Sequence, residues 1–271
     1  MTHSNLPIID ISVLDGYILC LIMQPNIWKD TFRIRSYEVD CHGQLSVLSI
    51  FNFMQETASS HADALGVSIQ QLLSENYTWL LARVKITMTS YPVWRDDLTV
   101  LTWPSGMQRL FALRDFQFKD QKDSPVGAAL SAWLVIDTHK RRPVRIAPFV
   151  NRLKPLGGNH ILPGTLDKLQ PLVTHEGEHK FQVRFRDLDI NQHVNNTSYV
   201  EWILESIPAA VKKEAVLSEM EINFLAESFL HDRIIANWLP RDRRHRLFHH
   251  GLYREEDGQE LVRARTVWKP L

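Results

Sequence analysis

From Thr31 to Glu38 the side chains alternate, with Phe32, Ile34 and Ser36 on one side and Arg33, Arg35 and Tyr37 on the other. A period of two is the mark of a strand with one buried face. From Gln44 the period lengthens. Leu45, Leu48, Phe51, Gln55, Ala58, Ala62 and Leu65 recur at three- and four-residue steps, which predicts a long helix with one buried stripe, closed by Gly66. Four runs rich in Val, Ile, Thr and aromatic residues follow, at 78–88, 97–104, 111–119 and 128–137. Turn residues such as Tyr91-Pro92 and Lys122-Asp123-Ser124-Pro125 separate them, so each reads as a strand.

The pattern then stops and restarts. Residues 142–171 carry Pro143, Pro148, Pro155, Pro163 and Pro171 with Gly157, Gly158 and Gly164, a linker poorly suited to regular sheet. Beyond it, 180–185 reads as a strand, and a helix places Tyr199, Trp202, Ile203 and Ser206 on one face before Pro208. Strand-like runs follow at 220–225, 233–239, 247–252 and 260–269. A shift of 149 positions lays Phe32 on Phe181, Arg35 on Arg184, Asp40 on Asp189 and Glu56 on Glu205. With the repeated element order, these identities point to an internal duplication. One helix followed by antiparallel strands buries its stripe when the sheet wraps around it. Two such units can join their sheets edge to edge. The fold class expected is therefore α+β, a tandem hotdog fold. Residues 1–30 form an extension, 31–145 one unit, 146–175 a linker and 176–271 the second unit.

At 271 residues the chain is long enough for two such units. Apolar residues make up 44% and charged residues 23%, ordinary globular usage, and the formal net charge is +0. No global field therefore draws the chain to nucleic acid or a membrane surface. Cys20 and Cys41 give neither a metal-ligand spacing nor a disulfide framework, in keeping with a reducing, cytoplasmic setting. The apolar run 17–23 is too short to span a bilayer and lacks the basic flank of a signal peptide. It reads as a packed strand, and Met23 offers an alternative natural start.

The stretch RDLDINQHVNNTSYVEWILESIP, from Arg186 to Pro208, concentrates the candidate chemistry. Asp189, Asn191 and His193 stand two apart, and in an extended segment all three would face one cleft. Asn195 or Asn196 would cap the helix that follows. The free N–H groups and positive end of its first turn suit a developing oxyanion on a thioester or ester carbonyl. A plain turn with Asx hydrogen bonds and a capped helix is the competing reading. The first half contains the counterpart Asp40-Cys41-His42-Gly43-Gln44, which keeps the aspartate but not the asparagine and histidine. Turn geometry alone does not require that difference. It points to one working and one degenerate copy.

The stretch DLDINQHVNNTSYVEWILESIP resembles the signature of plant-type acyl-acyl-carrier-protein thioesterases. TFRIRSYEVD, FMQETASSHADALG, YPVWRDDLTVLTW and SAWLVIDTHKRRPVRI are similar to the corresponding family segments. The likeness runs from about Phe32 to the C-terminus and, without a plastid transit peptide, suits a bacterial member. It implies a double hotdog with the acyl chain mainly in the first unit and catalysis in the second. It implies Asp189, Asn191, His193 and Glu227 as catalytic residues, the last on the strand after the second helix. The family's cysteine after that glutamate is Ser228 here, which removes a thiolate at this position and favours carboxylate-activated water. The implied reaction is hydrolysis of fatty acyl-acyl-carrier-protein in fatty acid biosynthesis, with no cofactor and no metal. Acyl carrier protein is the implied partner, with no nucleic acid, no membrane insertion and a homodimer allowed. An acyl-CoA thioesterase and a non-catalytic acyl-thioester sensor stay open as alternatives.

Other groups receive weaker readings. Ser228 and His193 would pair as nucleophile and base, but no nucleophile elbow surrounds Ser228. His245, His249 and His250 fall on a strand and read as solvated or partner-facing rather than metal-binding. Glu56, Thr57 and His61 read as polar groups of the helix core, ahead of a role in lining the acyl tunnel. Phe51, Met54, Trp79 and Met107 are candidates for setting tunnel depth. The clusters His139-Lys140-Arg141-Arg142-Arg145 and Arg241-Arg243-Arg244-Arg246 are either solvated turns or landing sites for an acidic carrier.

Overall fold

A computed structural model describes residues 26–145, 151–153, 155–156, 160–164, 166–242, 244 and 246–271. The run 17–23, the alternative start at Met23, and the positions of Arg243 and His245 lie outside the described residues. Strand β1 is Trp28–Arg33, earlier than the alternation suggests. The amide of Arg35 donates to the Glu38 carboxylate at 2.8 Å, so a turn replaces the second half of the expected strand.

Helix α1 (Val47–Ala64) begins at Ser46, whose hydroxyl accepts from the amide of Ser49, and Gly66 follows it at φ +71°. Its packing corrects the single stripe read from sequence. Ile50, Phe53, Met54, Thr57 and His61 are buried as well, while Gln55, Ala58 and Ala62 line a cavity. Both faces avoid charge, and the periodicity could not separate them.

A short helix α2 (Ile69–Ser74) follows, closed by a capping box between Ser68 and Gln71. Then come β2 (Tyr77–Met88), β3 (Asp97–Gln108), β4 (Phe111–Lys119) and β5 (Pro125–Asp137). Strand β3 continues past Pro104 because its register shifts between Pro104 and Gly106, where a bulge tolerates the missing donor. Strand β6 (Arg142–Val144) pairs with β5, so the start of the proline-rich linker does hold a short piece of sheet.

The second half runs β7 (Gly177–Gln182), α3 (Asn196–Ser206), α4 (Ala209–Glu214), β8 (Ala215–Phe224), β9 (Arg233–Pro240), β10 (Leu247–Arg254) and β11 (Glu260–Pro270). Among the described residues all strands join one eleven-stranded sheet, in the order β1-β3-β4-β5-β2-β8-β11-β10-β9-β7, with β6 beside β5. The halves meet along β2 and β8, antiparallel from Arg83 opposite Asn223 to Thr87 opposite Glu219. Phe53 and Met54 of α1 and Trp202 and Ile203 of α3 share one core with both halves of the sheet.

Part of the opposite face is covered by the linker. Leu162 and Leu166 pack on Leu113, Leu130 and Ala132. The buried carboxylate of Asp115 accepts from the amide of Ile161 at 2.7 Å, and Asn223 Oδ1 accepts from the amide of Leu169 at 2.7 Å. The linker therefore passes over the seam, held by polar contacts as well as by burial.

Candidate active site

Asp189 stands in a tight turn, not in an extended segment. Its amide donates to the His193 carbonyl at 2.8 Å, and Gln192 donates back to the Asp189 carbonyl at 3.0 Å. Gln192 takes φ +64° to close the turn. Asp189 Oδ1 accepts from the amides of Asn191 at 2.8 Å and His193 at 3.2 Å. Tight folding, rather than alternation, brings Asp189, Asn191 and His193 to one cavity wall.

The first half builds the same turn. Asp40 Oδ1 accepts from the amides of His42 at 2.8 Å and Gln44 at 3.1 Å, and the Asp40 amide donates to the Gln44 carbonyl at 2.8 Å. Gly43 takes the left-handed position at φ +73°. The bridge Val39–Leu45 matches Leu188–Val194. The caps also correspond, with Ser46 on α1 and Asn195 on α3, whose Oδ1 accepts from the amide of Thr197 at 3.0 Å. One oxygen of the aspartate is thus structural in both copies. Asn191 and His193 are what the second copy adds.

Asn191 Nδ2 lies 3.4 Å from the other oxygen of Asp189. His193 Nδ1 lies 3.3 Å from Glu227 Oε1, and the His193 ring meets Phe229 edge-on at 5.4 Å between centroids. Glu227 sits past the end of β8 in the loop that follows, not on the strand itself. In the first half, the loop from Tyr91 to Asp96 matches that from Glu227 to Asp232. Val93 donates its amide to Asp96 at 3.1 Å, as Phe229 does to Asp232 at 2.9 Å. Arg95 and His231 take φ +75° and +73°. Tyr91 therefore occupies the place of Glu227, and its hydroxyl is spent on the Leu217 carbonyl at 2.8 Å.

Ser228 is fully buried and its hydroxyl is engaged by Tyr199 rather than by His193. Its Oγ lies 2.7 Å from the Tyr199 hydroxyl, which also accepts from the Ser228 amide at 3.0 Å. Burial pushes the Tyr199 hydroxyl up to about 12. The serine–histidine pair considered from sequence is not formed, and Ser228 anchors the loop carrying Glu227. Asp187 is a structural group too, buried and held by the Arg184 amide at 2.7 Å and guanidinium at 3.1 Å.

Asp189, Asn191, His193 and Glu227 line a cavity of about 930 Å³. Trp79, Trp133 and Met107 form part of its wall, as do Ala58 and Ala62 of α1 and Asn196 of α3. Phe51 and Met54 border only a small adjoining void. Glu56 is exposed, whereas Thr57 and His61 are buried. His61 Nδ1 faces Arg114 Nη1 at 3.1 Å, and burial, followed by the arginine's charge, lowers its pKa to about 4. The ring is neutral and accepts the bond.

The histidine reading on β10 needs correction. His250 is buried with Nε2 2.9 Å from Thr266 Oγ1, and burial lowers its pKa to about 3. It is a core residue rather than a solvated one. Among the described residues no group of His, Cys, Asp and Glu is arranged to hold a metal, and no helix is long and apolar enough to cross a membrane. The sequence reading passed over Arg254, which donates from Nη2 to the Glu227 carbonyl at 2.7 Å. Its only signal was a charged residue at a strand end.

Two family models match nearly the whole chain, the acyl-ACP thioesterase N-terminal domain over residues 25–152 and its C-terminal domain over residues 172–270. The chain is 28% identical over 279 residues to the chloroplastic palmitoyl-acyl carrier protein thioesterase of Gossypium hirsutum, covering 95% of this chain and 68% of that protein. In structure it is similar to the 12:0-ACP thioesterase from Umbellularia californica, with TM-score 0.82 and 25% identity over 90% of this chain and 98% of that one. An acyl-ACP thioesterase from Bacteroides thetaiotaomicron gives TM-score 0.81 at 24% identity, with the same coverage.

Proposed function

The chain belongs to the acyl-ACP thioesterase family, and from that premise we propose that it hydrolyses the thioester of fatty acyl-acyl-carrier-protein, releasing a free fatty acid and the carrier thiol. The observation that carries the reading is the contact between His193 Nδ1 and Glu227 Oε1 in the wall of a large, mostly apolar cavity. The acyl chain enters the cavity, and the thioester rests beside the turn of Asp189, Asn191 and His193.

Glu227 takes a proton from water, whose oxygen attacks the carbonyl carbon. The Asn191 amide and the first turn of α3 stabilise the oxygen that becomes negative. His193, held through Nδ1, delivers a proton to the departing thiolate from its other nitrogen, and the proton taken by Glu227 is passed back to that nitrogen through solvent, so both residues reset and water is divided between acid and thiol. Asp189 acts by orienting Asn191, because its first oxygen already accepts two backbone amides. That commitment makes Glu227 the better base of the two carboxylates.

Turnover on matched acyl-carrier and acyl-CoA thioesters, read by free thiol release, tests the proposal. Faster turnover on the carrier supports it. Equal or faster turnover on CoA favours a CoA thioesterase, and no release with tight acyl binding makes the protein a sensor. Reversing Arg141 and Arg142 to glutamate tests docking. The reversal raises KM for the carrier substrate alone if this exposed turn receives the acidic partner.

A further inference from the structure

We propose that Arg254 is a positioning residue for the His193–Glu227 pair, an inference that rests on the catalytic reading above. Arg254 is the last residue of β10, and three of its nitrogens are engaged. Nη2 donates to the Glu227 carbonyl at 2.7 Å, Nε to Asp232 Oδ2 at 3.1 Å and Nη1 to Asp257 Oδ2 at 2.8 Å. Asp232 Oδ2 also accepts the Phe229 amide at 2.9 Å, and Phe229 packs edge-on against His193. One planar guanidinium therefore grips the peptide of the base and the turn that supports the imidazole. The arginine side chain is 19% exposed, so its fork works where water competes weakly.

The duplicated half serves as an internal control. The loop from Tyr91 to Asp96 has the same Asx hydrogen bond and a left-handed residue at the same place, Arg95, whose guanidinium lies over the Trp94 ring rather than on Asp96. The strand registers place Asp120, one residue past the Thr99–Lys119 pair, where the second half has Arg254 opposite Ile234. Asp120 Oδ1 accepts the amides of Lys122 and Ser124 and closes its own turn. The loop fold thus forms without a strand-end guanidinium at this position. Arg254 appears only in the half that carries Glu227 and His193. A purely structural clamp would be expected in both copies.

The test compares wild type with Arg254→Met, Arg254→Lys and Asp257→Asn. Asp257 touches the arginine but neither Glu227 nor the Phe229 turn, so Asp257→Asn reports the loss of an ion pair alone. Arg254→Met is expected to lower kcat about 30- to 100-fold with KM within about threefold, since misplacement by about 1 Å costs on that order. Arg254→Lys, a point charge without the fork, falls between, and Asp257→Asn stays within about twofold.

Proton NMR gives a readout independent of turnover. The His193 ring resonance, set by Glu227 Oε1 at 3.3 Å from Nδ1 and by the edge-on Phe229 ring, is expected unchanged in Asp257→Asn and shifted in Arg254→Met. If Arg254→Met does not fold, Arg254→Lys carries the same comparison. The inference is overturned if a folded Arg254 variant keeps both kcat and that resonance, or if Asp257→Asn loses kcat equally. A wild type that hydrolyses no thioester overturns the catalytic reading instead, while the resonance still reports on the clamp.

Discussion

Replacing Asp40 and Asp189 by alanine, one at a time, separates the structural from the chemical use of a single turn. Each aspartate accepts two backbone amides through one oxygen, at 2.8 and 3.1 Å for Asp40 and at 2.8 and 3.2 Å for Asp189. Bonds to a charged acceptor contribute about 1.5–3 kcal/mol each, and partial solvation of these turns reduces that to about 1 kcal/mol. Each alanine should then cost about 2 kcal/mol, and the two costs should agree within about 0.5 kcal/mol because the bonds are matched. In a chain of this size the melting temperature should fall by about 4–8 °C for either variant.

Activity should not fall in parallel. Asp40→Ala is expected to keep turnover within about twofold at 25 °C, whereas Asp189→Ala, which frees the Asn191 amide, loses about 100-fold. Urea midpoints and thiol release on one acyl thioester, measured on the same preparations, provide the comparison. Matched losses of activity would show that both effects arise from stability alone. Full activity in a folded Asp189→Ala would remove this turn from the chemistry.

Three further outcomes follow from the structure. Glu227→Gln should lower kcat about 10²- to 10⁴-fold with little change in KM, and unaltered kcat would exclude it as the base. Acid should destabilise the protein through His61 and His250, whose folded pKa values of about 4 and 3 lie below the ordinary histidine value of 6.5. Below pH 6.5 the unfolded chain takes up protons that the folded chain refuses, so stability drops by up to about 1.4 kcal/mol per pH unit for each ring, down to those folded values. His250→Gln should flatten the dependence of the urea midpoint on pH. Ala62→Trp, which fills the cavity wall, should move the preference toward shorter acyl chains on a chain-length panel, and an unchanged profile would place the chain elsewhere.

The features legible in the sequence are those driven by burial of whole faces. Strands β4 and β9 begin where the apolar runs begin, and α1 and α3 stand where three- and four-residue steps recur. The repeat was visible because the same aspartate turn and the same cap are required twice. Legibility failed where one signal had two causes. Gln55, Ala58 and Ala62 form a helical stripe because they face a cavity, and their period resembles that of a core stripe. Asp189, Asn191 and His193 share a wall through a hydrogen-bonded turn, so alternation grouped the three by the wrong geometry. Arg254 was not readable at all. Its meaning depends on Glu227 and Asp232, both far from it in sequence, and a charged strand end looks the same with or without such partners.

The outermost strands of the shared sheet bear on how the protein behaves when crowded. Among the described residues β1 and β7 end the ladder, and each is only six residues long. β1 carries Lys29, Asp30 and Arg33, and β7 carries Glu178, His179 and Lys180, with Lys180 drawn to Glu255 at 2.7 Å. An incoming strand from another molecule would have to strip water from those charges to reach the free amides and carbonyls. Two separate half-proteins would offer four such borders, and fusion through β2 and β8 leaves two, both guarded. Duplication within one chain therefore protects against aggregation as well as building a cavity.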